Sequence, residues 1–387
     1  MQSNYNRTKL ALVFPFFFGA IIGVIFLYIL YSSINHTINF DEFALGNENT
    51  SSLELVNGVK VHCYDLEDSD QCIKGFNTSR KNDEVVLWLG NSQLHTINQL
   101  EDGDKTSANL LHQYAIDISK YVMTFSQPNA NLQEHYVLFE YILQKIPVKI
   151  LVLPIIFDDM RETGVRPSLD GAFNDKKTAD RLKKSEIGRR LFINSNSSTK
   201  QNTGDHLNNE MLALKGTYQK SAEKYLNNEL EGIWKIWGAR KTFRANIFSK
   251  LHLFRNWVFG ITPSSIRKIM PGSYLLNMQA LNALLTSASE SKVVVLIYIP
   301  PLRSDVQIPY DSAQYNAFKQ EVESISANNN AYFADFGNLI PSEFWGTKSS
   351  TSLGNEPELD FMHFKAYGHE LLAKEIFDEL EKIDKRH

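Results

Sequence analysis

The chain has 387 residues, of which 43% are hydrophobic, and a net charge of -4 at pH 7. This length and composition allow a sizeable core in one large or two small domains, which excludes an intrinsically disordered chain. The pI near 6.2 provides no general attraction to nucleic acid. The sequence has no GxxxxGK or HExxH motif and no clustered CxxC pairs, so it supports neither P-loop phosphoryl transfer nor zinc hydrolysis. We expect no metal and no cofactor.

An uncharged apolar segment at residues 10–31 predicts a transmembrane helix. At about 1.5 Å per residue, a helix of this length matches a hydrocarbon core of about 30 Å. Arg7 and Lys9 precede the segment and acidic residues follow it, which predicts a cytoplasmic N-terminus and an extracytoplasmic remainder. The segment is longer than the apolar part of a cleaved signal peptide, so an uncleaved anchor is favoured. We therefore expect residues 1–33 to be a cytoplasmic tip and membrane anchor.

The next segment, residues 34–82, is polar and shows no sustained periodicity, which predicts an extracytoplasmic stalk. It contains both cysteines of the chain, Cys63 and Cys72. Outside the cytoplasm, oxidising conditions allow these two residues to form a disulfide that closes a short loop. Two free thiols are the alternative.

From residue 83 onward, short continuous apolar runs alternate with segments of helical spacing. Such runs are typical of strands buried on both faces of a parallel sheet, and the alternation predicts a three-layer α/β/α sandwich over residues 83–387. A charged stretch at about 160–270 lacks a convincing strand and is interpreted as a helical insertion. The predicted strands are 85–89, 121–125, 148–157, 293–299 and 331–336, and the predicted helices are 106–120, 131–146, 272–289, 312–327 and 365–384.

Ser92 lies in the turn after the first predicted strand, within the sequence LWLGNSQLH. Ligands of such sheets bind outside the carboxyl ends of the strands, so this turn is a suitable place for a nucleophile. Gly90 permits a tight turn, and amides at the start of the following helix can stabilise an oxyanion. The alternative is that Asn91 or Ser92 only caps that helix.

Asp360 precedes His363 by three residues, directly before the last predicted helix. An imidazole can remove the proton of a serine hydroxyl at neutral pH, and a carboxylate on its other nitrogen fixes the tautomer. Ser92, His363 and Asp360 are therefore predicted to act as nucleophile, base and orienting carboxylate in acyl-ester chemistry.

These motifs resemble the SGNH (GDSL-like) hydrolase superfamily, in which the nucleophile lies in a Gly-Asp-Ser block and a late Asp-x-x-His completes the triad. Here the two blocks read Gly90-Asn91-Ser92 and Asp360-Phe361-Met362-His363. In layout the chain is similar to the membrane-anchored branch of that superfamily, which includes the D-alanyl transfer protein DltD and the alginate O-acetylation proteins. The resemblance implies an SGNH-like α/β domain and an acyl-enzyme mechanism.

The resemblance also implies an oxyanion hole built from a Gly and an Asn, neither of which has an obvious counterpart here. After the second strand, the amide of Ser126 takes the Gly role, and Asn129 or Asn131 offers a side-chain amide. After the third strand, Asp159 stands near the expected Asn. Because a carboxylate cannot donate a hydrogen bond, Asp158 or Asp159 is predicted to hold Arg161 or contact substrate.

Three further residues were considered for the site. Arg303 follows the fourth strand and is predicted to bind an anionic or sugar group, with a surface salt bridge as the alternative. His95 is predicted to face solvent, with a substrate contact as the alternative. His369 is predicted to be structural.

The sequence thus predicts an extracytoplasmic serine O-acyltransferase or esterase, with an acyl donor and a carbohydrate-type acceptor from the cell envelope as substrates. A second hypothesis is a non-catalytic accessory subunit of a membrane-bound O-acyltransferase. Its contacts would be the GxxxG pair Gly19 and Gly23 and the basic, aromatic segment 241–261. A helix packed on its own domain is the alternative for that segment.

Overall fold

The apolar runs of the sequence form most of a six-stranded parallel sheet, whose strands lie side by side in the order 62–63, 120–126, 84–90, 148–154, 294–299 and 332–335. We describe a computed structural model that covers residues 48–80, 83–200, 250–262, 264–351 and 356–386. Within these residues the strands are β1 (Asn49–Ser51), β2 (His62–Cys63), β3 (Glu84–Gly90), β4 (Thr96–Asn98), β5 (Lys120–Ser126), β6 (Val148–Pro154), β7 (Val294–Ile299), β8 (Tyr332–Asp335), β9 (Trp345–Lys348) and β10 (Glu358–Phe364).

Helices lie on both faces of the sheet. They are α1 (Leu66–Ser79), α2 (Ser92–His95), α3 (Ser107–Ile116), α4 (Leu132–Leu143), α5 (Asp170–Asn174), α6 (Lys176–Leu182), α7 (Glu186–Lys200), α8 (Pro271–Glu290), α9 (Ser312–Asn328) and α10 (Ala366–Asp384). Successive residues of β3 face opposite sides of the sheet. Leu87 belongs to an apolar cluster with residues of α4, α8 and α9, and Trp88 belongs to another with residues of α3 and α10. This is the three-layer α/β/α arrangement that the continuous apolar runs predicted.

Two small antiparallel sheets accompany the main sheet. β1 pairs with β4, and β9 pairs with β10. The pairing of β9 with β10 shifts register between Leu359 and Phe364, which is the stretch that contains Asp360 and His363. The irregular backbone allows these two side chains to approach each other, since regular strand positions three residues apart lie on opposite faces.

The prediction that residues 34–82 form a stalk is wrong for the part of this segment that the structure describes. β2 extends the main sheet by pairing with β5, and Phe76 of α1 packs in the main core. Burial of apolar side chains along α1 outweighs the polar composition of the segment. Cys63 and Cys72 form the predicted disulfide, which joins β2 to α1.

The predicted insertion at 160–270 begins with helices that share the main core. Ala172 of α5, Leu182 of α6 and Leu191 of α7 belong to the same apolar cluster as β3. Residues 250–260 are assigned to a compact unit separate from the α/β unit, and residues 250–258 are helical.

The predicted membrane anchor lies outside the described residues, together with Gly19 and Gly23. In the part of the chain that the structure describes, no helix has the length and apolar character needed to cross a bilayer.

Candidate active site

Ser92 begins the short helix α2, directly beyond the carboxyl end of β3. Asn91 is the N-cap, and its side-chain oxygen accepts a hydrogen bond from the backbone N–H of Gln93 at 3.0 Å. Since Asn91 satisfies the helix start, the Ser92 hydroxyl remains available for chemistry. Gly90 is required by close packing, because a Cβ atom there would lie 2.3 Å from Cδ1 of Leu94.

The structure brings Ser92, His363 and Asp360 together. Ser92 Oγ lies 3.0 Å from His363 Nε2, and His363 Nδ1 lies 3.0 Å from Asp360 Oδ2. Ser92 and His363 are 271 residues apart in sequence, so the contact depends entirely on the fold. This geometry allows His363 to take the hydroxyl proton while Asp360 holds the other ring nitrogen.

Asp360 is a buried carboxylate with its oxygens well satisfied. The backbone amides of Met362 and His363 donate to Oδ1 at 2.8 and 3.1 Å, and Asn49 Nδ2 donates to Oδ2 at 3.0 Å. Burial by itself raises the pKa of Asp360, but the imidazole of His363 and these hydrogen bonds outweigh it and hold the pKa well below its usual range. Asp360 is therefore charged at neutral pH.

Three serine hydroxyls of the described residues lie within hydrogen-bond distance of an imidazole. Ser107 Oγ is 3.2 Å from His369 Nδ1, and Ser126 Oγ is 2.6 Å from His62 Nε2 and 2.8 Å from His95 Nδ1. Neither of these serines has a carboxylate bonded to the partner histidine in the described part of the chain, and both are almost fully buried. Only the pair at Ser92 combines a carboxylate with partial access, because the side chain of His363 is 11% exposed.

Of the three residues predicted after the second strand, Asn131 has another role in the structure, whereas the roles of the Ser126 amide and the Asn129 side chain stay predictions. The Ser126 side chain joins His62 to His95, and Ser126 pairs with Gly90 across the sheet. Asn131 is the N-cap of α4, with its side-chain oxygen accepting from the amides at 133 and 134 and its Nδ2 donating to the Gly164 carbonyl. Asn129 lines a cavity of about 370 Å³ with Asn131. The side-chain prediction for Asn131 is wrong because its oxygen caps α4 and its Nδ2 donates to the Gly164 carbonyl.

Sequence reasoning missed Gln127, the residue after β5. Its backbone N–H donates to the Gly90 carbonyl at 3.2 Å, which places it beside the turn that carries Ser92. Gln127 is buried, and its side-chain Nε2 has no hydrogen-bond partner among the described residues. Burying an amide N–H group without an acceptor costs free energy. Donation to a bound ligand is a physical reason for keeping such a group.

Asp159 contacts the nucleophile turn rather than Arg161. Asn91 Nδ2 donates to Asp159 Oδ2 at 3.0 Å. Burial raises the pKa of Asp159 well above its usual value, and the hydrogen bond from Asn91 opposes this only in part. Asp158, the other predicted carboxylate, holds Arg161, whose Nη1 donates to Asp158 Oδ1 at 3.4 Å.

Arg303 does not offer its guanidinium to a ligand. Its side chain donates to both carboxylate oxygens of Asp305, at 2.6 and 3.1 Å, and to the carbonyl of Gly346 at 2.9 Å. Only 8% of Arg303 is exposed, so the predicted ligand role is wrong. Arg303 instead forms the alternative salt bridge, in which the arginine side chain is buried. Its backbone N–H donates to the Phe361 carbonyl at 3.2 Å and so supports the triad loop.

His95 does not face solvent. It is fully buried, and burial lowers its pKa to about 3, with the nearby His363 adding to the effect. His369 is also buried and contacts Ser107 and the Thr96 carbonyl, consistent with a structural role.

No protein-family model and no curated protein matches the sequence. Among solved structures, a lipase/acylhydrolase from Enterococcus faecalis is similar, with 10% identity, a TM-score of 0.36 and coverage of 77% of this chain and 96% of that chain. A GDSL-like lipase from Bacteroides thetaiotaomicron is also similar, with 10% identity, a TM-score of 0.35 and coverage of 80% and 98%. Both TM-scores are below 0.5, so the site is argued from its own geometry.

Proposed function

We propose that this protein is an SGNH-type serine acyl-ester enzyme that forms an acyl-enzyme at Ser92. The observation that carries the proposal is the continuous contact from Ser92 through His363 to Asp360, with both distances at 3.0 Å. The other two serines of the described residues that contact a histidine, Ser107 and Ser126, lack the carboxylate and the access that catalysis needs.

The first half of the reaction follows from this geometry. Ser92 Oγ attacks the ester carbonyl carbon while its proton passes to His363 Nε2. The C–O bond to the alcohol then breaks, and His363 returns the proton to the leaving oxygen, which yields an acyl-enzyme and a free alcohol. Asp360 holds the imidazolium that forms between these steps, and we assign stabilisation of the oxyanion to Gln127 Nε2.

The second half determines the reaction class. His363 removes a proton from water or from a sugar hydroxyl, whose oxygen attacks the acyl carbon. The bond from that carbon to Ser92 Oγ then breaks, and His363 returns the proton to Ser92 Oγ. Water gives an esterase, and the hydroxyl gives an O-acyltransferase. We propose transfer onto an extracytoplasmic envelope polysaccharide, as the resemblance to the DltD and alginate O-acetylation branch implies, because the apolar segment at residues 10–31 would confine the site to the membrane surface.

A serine-reactive fluorophosphonate probe tests the nucleophile without knowledge of the substrate. The full-length protein should be labelled, and Ser92→Ala should abolish the labelling. Ser107→Ala is the matched control, because Ser107 also contacts an imidazole but is fully buried. Absence of labelling in the wild-type protein, or labelling that survives Ser92→Ala, would contradict the proposal.

A second candidate function, an accessory subunit of a membrane-bound O-acyltransferase, is favoured by one surface. In the helical stretch 250–258, Leu251, Phe254 and Trp257 recur every three residues and are each more than half exposed. Such a stripe suits an apolar partner or membrane surface. If Ser92→Ala still restores envelope acylation in cells while changing Trp257 to Ser abolishes it, the accessory role replaces the catalytic one.

A further inference from the structure

Two arginines share one carboxylate at the edge of the proposed active site. Arg161 Nη1 donates to Asp158 Oδ1 at 3.4 Å, and Arg267 Nη1 donates to Asp158 Oδ2. Asp158 and Arg161 belong to the short turn beyond β6, whereas Arg267 arrives from a segment about a hundred residues later, with its backbone N–H bonded to the Pro309 carbonyl at 2.7 Å. One carboxylate and two guanidinium groups leave a net positive charge.

This arginine pair is linked through neighbouring residues to both halves of the triad. Arg267 Cζ is 5.3 Å from the centre of the Phe361 ring, and Phe361 is the residue after Asp360. On the other side, Asp159, the neighbour of Asp158, accepts the hydrogen bond from Asn91. Asn91 directly precedes Ser92, so the pair is flanked by the neighbours of both the nucleophile and the orienting carboxylate.

Further polar groups at this place lack partners. Tyr310, which is 5% exposed, contacts Phe361 edge-on with ring centres 6.1 Å apart, and its backbone forms a parallel bridge with Arg267. The Tyr310 hydroxyl and Arg161 Nε are buried with no hydrogen-bond partner in the described residues. Burial raises the pKa of Tyr310, so its hydroxyl stays a hydrogen-bond donor, although Arg267 opposes the shift.

Two neighbouring acids bear on this positive charge. Asp360 attracts Arg267 electrostatically, while its oxygens accept hydrogen bonds from His363, Asn49 and two backbone amides. Burial raises the pKa of Asp159, which favours its uncharged form. A further cation, Lys348 Nζ, lies 5.8 Å from the centre of the Phe361 ring, with Glu358 at 4.0 Å as its ion-pair partner.

We propose that Arg161, Arg267 and Tyr310 bind an anionic group of the substrate, a carboxylate or a phosphate, next to the ester that reacts at Ser92. Guanidinium groups bind both anions through paired N–H donors, and the Tyr310 hydroxyl supplies a third donor. This inference depends on the proposed function in one respect, namely that the substrate carries an ester that reacts at Ser92. It narrows the substrate class to acyl esters of negatively charged molecules, such as an acidic polymer.

Three small acetyl esters test the anion site. O-acetylglycolate carries a carboxylate, 2-acetoxyethyl phosphate carries a phosphate, and 2-acetoxyethanol is the neutral counterpart. Binding of each is measured by titration calorimetry with the full-length Ser92→Ala protein, which cannot turn the esters over. We expect at least one anionic ester to bind tenfold or more tightly than the neutral ester, and the stronger of the two identifies the anion.

Arg267→Gln and Arg161→Gln, each added to Ser92→Ala, should remove that preference. Lys145→Gln is the matched control, because Lys145 pairs with Asp175 at 2.9 Å, lies over the Tyr141 ring and is as exposed as Arg267, at 32% against 33%. The control should keep the preference. Equal affinity for the three esters, no binding of either anionic ester, or a preference that survives both arginine changes would overturn the proposal. Because Ser92 is absent throughout, these outcomes are independent of the probe experiment on the proposed function.

Discussion

Asp360 shows how one residue depends on partners scattered along the chain. Its two oxygens accept hydrogen bonds from two backbone amides, from Asn49 and from His363. These contacts lower its pKa despite burial and leave a carboxylate whose position is determined on every side. Its role, in our proposal, is to hold the tautomer of His363 that accepts the proton of Ser92.

Asp360→Asn should reduce the rate of ester hydrolysis sharply while the fold remains. The amide keeps the shape but removes the charge that stabilises the imidazolium, and in serine enzymes such a change costs about 10⁴-fold in kcat. The measurement is kcat on p-nitrophenyl acetate. Asp335→Asn, at a carboxylate that is 40% exposed and paired with Lys319, should leave kcat unchanged. A loss of less than tenfold would mean that Asp360 is not the orienting carboxylate.

At the scale of elements, the two small antiparallel sheets form the support of the triad. Asn98 of β4 donates to Asn49 of β1 at 2.9 Å and to the Thr347 carbonyl of β9 at 2.8 Å, and Asn49 in turn donates to Asp360 of β10. The Asn98 side chain fits against Gly346, where an added Cβ atom would lie 1.7 Å from its Oδ1. Four strands from three parts of the chain thus position one carboxylate.

Gly346→Ala should therefore damage both stability and activity. The methyl group must displace Asn98, which breaks the hydrogen bonds to Asn49 and Thr347, and overpacking of this kind costs about 1–3 kcal/mol. Urea denaturation measures the stability, and ester hydrolysis should fall at least tenfold. Gly272→Ala is the control, since no atom lies within 4 Å of the added Cβ and a helix favours Ala. Equal behaviour of the two variants would refute the supporting role of Asn98.

At the scale of the whole molecule, several histidines are buried and uncharged in the folded state. His62, His95, His135 and His369 lie inside the protein, and burial lowers the pKa of the last three to about 3 and that of His62 well below its usual value. In the unfolded chain each would titrate near 6.5. Below that pH the unfolded state binds protons that the folded state cannot accept, so acid favours unfolding.

We therefore expect stability to be highest above about pH 6.5 and to decrease as the pH falls toward 3, because the folded-state pKa values are depressed. Each of the four histidines contributes a slope of up to about 1.4 kcal/mol per pH unit in that window. Calorimetric Tm values between pH 8 and pH 5 measure the effect. A constant Tm over this range would show that these histidines are not held neutral in the fold.

Much of the framework could be predicted because its signals are local. Five continuous apolar runs marked five of the six strands of the parallel sheet, since strands buried on both faces need apolar residues at every position. Ser92 was identifiable from the turn after the first strand, Asp360 and His363 from their spacing, and the Cys63–Cys72 disulfide from cysteine count and the predicted compartment.

The features that the sequence could not show depend on partners distant in the chain. β2 is a two-residue strand with no periodicity of its own, and it exists because β5 is there to pair with it. His95 was predicted to face solvent, but the fold buries it against Ser126, which also contacts His62. Arg303 was predicted to bind a ligand, but in the fold its guanidinium donates hydrogen bonds to Asp305 and to the Gly346 carbonyl.

The sequence by itself determined the α/β pattern and the three residue types needed for acyl-ester chemistry, because both are encoded in short stretches of chain. Only the tertiary structure decided that these three side chains meet, that Asn131 and Arg303 do not serve the site, and that Arg267 lies beside it. The reason is that Ser92 and His363, and likewise Arg267 and Asp158, are brought together from more than a hundred residues apart, and no local pattern encodes that approach.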